Sequence, residues 1–163
     1  MNRNKTLQLA NAGLIAALYV VLTWIANLLG LASGAIQVRL SEALTILPVF
    51  TASAVPGLTV GCVLANLLTG CAAWDVVFGS LATLIGAVGT RMMRKTPQLA
   101  WIPPVVANVA IVPIVLMKVY GAEEAWWFLA LTVGAGELIS CGLLGLLVWR
   151  AGQRIPALRD NSN

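Results

Sequence analysis

The chain has 163 residues, 60% of them hydrophobic and 10% charged, with a mean hydropathy of +0.90 and a formal net charge of +4. A soluble domain is nearer half apolar and a quarter charged; ten basic and six acidic side chains are too few to coat one in water, whereas lipid can cover an apolar exterior. A soluble enzyme, a nucleic-acid-binding domain and a disordered chain are thereby excluded, and where the charges fall matters more than their sum. Histidine is absent, which removes the commonest general base and metal ligand. Cys62, Cys71 and Cys141 lie in or beside apolar runs without ligand spacing, so they read as small buried residues and no metal site is expected.

In chain order, residues 7–29 form the first span, too long for a signal-peptide core and without a convincing cleavage site. It carries a small-residue pattern, Ala12 and Ala16 with Ala17 beside them, of the kind that lets helices approach closely within a bundle or against a partner. Residues 30–40 form a loop rich in small side chains. The apolar stretch 40–74 is too long for one crossing of roughly 20 residues and short for two. Pro56-Gly57 suits a tight turn, which divides the stretch into 40–55 and 57–73, segments of about 24 Å if helical. Residues 75–90, 100–120 and 125–149 complete the set, and the tail from Ala151 is polar.

Charge tests this division. With six spans and a cytoplasmic N-terminus, Arg3, Lys5, Arg91, Arg94, Lys95, Arg150, Arg154 and Arg159 lie inside, and only Arg39 and Lys118 lie outside. A single crossing over 40–74 would move the Arg91–Lys95 cluster to the other face and destroy the bias. The expectation is an all-α integral membrane protein of the plasma membrane. It is a compact six-transmembrane-helix bundle forming one domain over 1–163, with both termini cytoplasmic. The tryptophans agree, with Trp24, Trp74, Trp126 and Trp127 near outer ends and Trp101 and Trp149 near inner ends.

An ionisable residue inside a span costs at least about 2.5–3.5 kcal/mol on insertion scales and is a functional candidate by default. Glu137 is the clearest case, well inside the last span. Gln37, Arg39, Glu42, Asn66, Asp75 and Asn108 fall on the same outer half, where residues from different helices would converge on an outward-opening pocket. Arg39 and Glu42, three apart, could simply pair with each other at a helix start, but that leaves Asn66, Asn108 and Glu137 unexplained. Carboxylates and amides together suit a neutral or cationic ligand with several N–H donors; a carboxylate accepts two adjacent donors bidentately.

Five stretches carry a resemblance: Ala16 to Thr23, Ile36 to Leu44 with its arginine–leucine–serine–glutamate run, Gly61 to Leu68, Asp75 to Leu84, and Leu131 to Leu138 with threonine–x–glycine–x–glycine–glutamate. In these the chain resembles the substrate-binding S components of energy-coupling factor (ECF) transporters, specifically the queuosine-precursor (QueT-type) branch. The resemblance implies an ECF S-component-like fold that captures a 7-deazaguanine such as preQ1, preQ0 or queuine from outside. It implies docking on an ECF T transmembrane subunit driven by two ATPase subunits, with toppling of the whole S component in the bilayer. No cofactor is implied for the chain itself, since the partner subunits use the ATP. The family's helix-one contact falls on Ala12 and Ala16, which favours docking for that pair. Gln37, Arg39, Glu42, Asn66, Asp75, Asn108 and Glu137 become substrate-binding candidates. Glu137 or Glu42 would read the guanine-like edge, and another carboxylate, such as Asp75, would hold an amine. Two rival functions remain: an S component for a flavin, thiamin or folate, and a proton-coupled secondary transporter using Glu137 as relay. A membrane enzyme lacks any nucleophile–base pair or metal cluster to carry it.

Overall fold

A computed structural model describes residues 3–31 and 36–155. The middle of the 30–40 loop, Arg159 and most of the polar tail lie outside the described residues. The order is α1 (Arg3–Leu28), a 3-10 helix (Leu40–Val49), α2 (Ala54–Leu68), α3 (Ala73–Met92), a 3-10 turn (Pro97–Leu99), α4 (Ile102–Val119), α5 (Trp126–Glu137), a π-helical segment (Leu138–Leu144) and α6 (Gly145–Gly152). Four stretches are long and apolar enough to cross a membrane: Lys5–Leu28, Ala73–Met92, Pro97–Val119 and Trp126–Gly152. The last is a single rod made of α5, the π segment and α6.

The exterior of these rods is apolar. Leu7, Leu14, Trp24, Leu28, Leu67, Trp74, Leu131 and Leu143 are exposed, while Glu42, Thr45, Thr83, Thr90, Asn108 and Ser140 are buried. In water such a surface would drive aggregation; in lipid it is the solvent-matched face. The chain is a multi-pass, all-helical membrane protein.

The stretch 40–74 divides, but not at Pro56-Gly57. The break falls at Phe50–Ser53, and Pro56 sits in the first turn of α2, where a missing N–H costs nothing. Gly57 is a contact residue: a Cβ there would lie 2.7 Å from Ala12 O on α1. One turn on, a Cβ at Gly61 would lie 2.8 Å from Tyr19 Cβ and 3.0 Å from Ala16 Cα. The small faces of α1 and α2 thus meet directly, running parallel, in the way that close helix pairs in membranes do. Parallel α1 and α2 require the intervening 3-10 helix to run back in the opposite direction, and its near-complete burial fits a place inside the bundle.

Winding explains how so few residues make that return. Ten residues at about 2.0 Å each reach about 20 Å, where an α-helix would reach about 15 Å. The 3-10 helix is held at its end by Arg91, whose Nη1 donates to Pro48 O at 3.0 Å and Val49 O at 3.3 Å. A cation there also suits the negative end of the helix dipole. At the same end Pro103 and Pro104, at the start of α4, pack against Gly89 and Gly86 of α3, and Thr90 Oγ1 donates to Ala100 O at 2.8 Å.

Candidate substrate-binding site

The opposite end of the bundle is open. A cavity of about 670 Å³ lies among the C-terminal ends of α1, α2 and α4, the start of α3 and the segment leading into the 3-10 helix. That volume is within the range of small-molecule sites, roughly 300–1,000 Å³. Gln37, Arg39, Asn66 and Asp75 all line it, together with Tyr19, Trp24, Thr69, Cys71 and Tyr120.

Asp75 is in the first turn of α3, where a carboxylate is favoured by the helix dipole. Its Oδ2 accepts the Tyr120 hydroxyl at 3.0 Å, and the same Tyr120 oxygen accepts the Ala72 N–H at 3.2 Å. Asn66 reaches Asp75 from α2, its Nδ2 donating to the Asp75 carbonyl oxygen at 3.5 Å. Asp75 is therefore anchored on one oxygen, with the cavity beside it.

Arg39 is in extended backbone just before the 3-10 helix, and its N–H donates to Ser140 Oγ at 3.1 Å. Burial works against its charge, but the Tyr19 phenol and the Glu137, Glu42 and Asp75 carboxylates outweigh that and hold its pKa above the ordinary value. The close passage of this segment explains the glycine before Glu137: a Cβ on Gly136 would collide with Gln37 O.

Glu42, Asn108 and Glu137 do not line the cavity. They are 0%, 1% and 5% exposed and form a second group directly behind it. One oxygen from each of Glu42 and Glu137 and the Cys141 sulfur lie within 4.8 Å of one another. Tyr19 donates its hydroxyl to Glu42 Oε1. Cys141 Sγ donates to Glu137 Oε2 at 3.1 Å, and Thr45 Oγ1 to Cys141 Sγ at 3.4 Å. Asn108 stands beside Glu137; on α4 it continues, one turn deeper, the line of Val112, Leu116 and Tyr120 that faces the cavity. Tyr19 and Arg39 belong to both groups and form the partition. Two carboxylates and a thiol this close could hold a metal ion, but the Arg39 guanidinium already supplies positive charge to both acids and opposes another cation.

Both acids sit where the backbone departs from α-helix: Glu42 in the first turn of the 3-10 helix, Glu137 immediately before the π segment. Irregular windings of both kinds are found at functional sites because they re-aim side chains. Here the π segment itself carries Ser140 and Cys141, which meet Arg39 and Thr45 at the 3-10 helix, directly after Glu137. Sequence reasoning missed Tyr19, Tyr120 and Cys141. For Cys141 a signal existed, the four-residue spacing from Glu137 that stacks the two on one helix face; for the tyrosines the partners are far away in sequence and no local signal existed. Ala12 and Ala16 lie against Gly57 and Gly61, whereas Gly13 has open space where its Cβ would be.

An all-helical, multi-pass membrane protein with a polar cavity at one end of its bundle is the class that fold and site define. The chain belongs to the QueT transporter family, whose model matches residues 9–153; this is a family of transporters. It is 36% identical over 86 residues to a Lactococcus lactis subsp. cremoris (strain MG1363) protein described as "Queuosine precursor transporter QueT". The match covers 52% of this chain and 50% of the relative, so the chain spans about half the length of the curated relative it matches. No solved structure is significantly similar to it.

Proposed function

We propose that the chain is the substrate-binding S component of an ECF importer and captures a queuosine precursor, a 7-deazaguanine, from the extracytoplasmic side. The carrying observation is the cavity lined by Gln37, Arg39, Asn66 and Asp75 at the bundle end away from Arg91, Arg94, Lys95, Arg150 and Arg154. Basic residues favour the cytoplasmic face, so on this reading the cavity opens outward, both termini are cytoplasmic, and all six segments cross, the two short ones shielded by their neighbours. Asp75 receives a cationic amine, Arg39 and Asn66 flank the ring, and Glu42, Asn108 and Glu137 form the polar group behind Tyr19 and Arg39. The chain needs no cofactor; ATP is hydrolysed by two partner subunits and transmitted through a T subunit. Docking uses α1, where the exposed Gly13 and Ala17 adjoin the Ala12–Ala16 face that α2 covers.

The test is a thermal-shift panel on the purified chain in detergent. A deazaguanine should raise the melting temperature in proportion to its occupancy, and flavin, thiamin and folate should not. A shift with one of the latter would move the substrate elsewhere. Accumulation of deazaguanine in vesicles containing this chain without ATPase subunits would favour proton-coupled transport and overturn the ECF assignment.

A further inference from the structure

Three buried side-chain polar atoms have no hydrogen-bond partner among the described residues: Glu42 Oε2, Asn108 Nδ2 and Ser80 Oγ. Leaving such an atom unpaired costs about 1–3 kcal/mol, and natural structures rarely tolerate it without a reason. Two of the three belong to the group behind the cavity, and they are opposite in kind. Glu42 Oε2 has no donor in hydrogen-bonding geometry: Tyr19 engages Oε1, and the nearby Thr83 hydroxyl donates to Gly79 O instead. Asn108 Nδ2 has no acceptor in hydrogen-bonding geometry, although Glu137 is close enough to interact with it. Both residues border Glu137, which is occupied on one oxygen by Cys141.

An orphan acceptor and an orphan donor in one polar group are the complement of an N–H beside a C=O. We propose that Glu42 Oε2 and Asn108 Nδ2 form a specificity subsite that reads a lactam edge, Glu42 accepting the ring N–H and Asn108 donating to the neighbouring carbonyl oxygen. This rests on the deazaguanine reading above, and assigns to two atoms the task of telling an oxo ring from an amino ring. Tyr19 is a positioning residue: it borders the cavity and, by holding Oε1, turns Oε2 toward the ligand edge. Arg39 interacts with both carboxylates and favours their accepting forms.

The experiment compares 7-deazaguanine with its 2,6-diamino counterpart on the unaltered full chain by isothermal titration. In the diamino ring the carbonyl acceptor becomes an amino donor and the ring N–H becomes a lone pair, so both contacts invert. The diamino compound should bind about a hundredfold more weakly or worse, as sites built around a hydrogen bond reject analogues lacking it. Glu42→Gln places an amide N–H where Oε2 stood, and should narrow that gap by about tenfold or more while Tyr19→Phe weakens 7-deazaguanine itself. Equal affinities within about threefold on the unaltered chain would overturn the subsite and leave the capture reading standing. Binding of neither ring, nor of any other 7-deazaguanine, would bring down the capture reading and this inference with it.

Discussion

The two ends of the bundle treat polarity in opposite ways. At the cavity end Arg39, Asn66, Asp75 and, behind them, Glu42 and Glu137 are drawn inward, and two of the polar atoms there are left unpaired. At the other end Arg91 reaches inward and spends its guanidinium on the carbonyls of Pro48 and Val49, and glycines close on prolines. Polar groups with partners hold a structure together, whereas a buried polar group without one calls for a separate reason. One end is closed and paired, and the other is open.

That contrast is breakable by substitution. The largest effect is expected where the cavity end is tightest: Gly136→Val would drive a side chain into the Gln37 carbonyl and should cost about 3 kcal/mol or more of stability, read as a fall in melting temperature or loss of folded protein. Asp75→Asn should weaken binding of an amine-bearing deazaguanine by about 10- to 100-fold through loss of a charged hydrogen bond, with the melting temperature of the empty protein nearly unchanged. Arg91→Ala should do the reverse, lowering stability by about 1–2 kcal/mol while affinity holds; if Arg91→Ala abolished binding and left stability intact, the division of labour between the ends would be wrong. The smallest effect belongs to Arg94→Ala, an exposed charge on the basic rim, which should stay within about 0.5 kcal/mol in unfolding.

Much of this was legible in the residues before any coordinates. The helical class, the four long rods and the abnormal length of 40–74 follow from hydropathy and crossing length. Gln37, Arg39, Asn66 and Asp75 were picked out as polar exceptions and do share one cavity. Glu42, Asn108 and Glu137 were picked out on the same ground, yet they lie behind the cavity rather than in it; depth along a helix is readable from sequence, but which side of a partition a side chain occupies depends on its neighbours. Pro56-Gly57 misled for a related reason. A proline–glycine pair suits a turn locally, while here the proline opens a helix and the glycine admits the backbone of α1.

Sequence by itself determined the solvent: so many apolar residues and so few charges can be stable only where lipid replaces water, and that choice forces helices because each backbone group must find its partner inside its own segment. Only the tertiary structure decided the windings and the pairings. The 3-10 and π turns, the Tyr19–Glu42 and Tyr120–Asp75 bonds and the Cys141–Glu137 contact arise from how closely packed helices compete for the same space. That competition is set by residues up to a hundred positions apart, which no local pattern records.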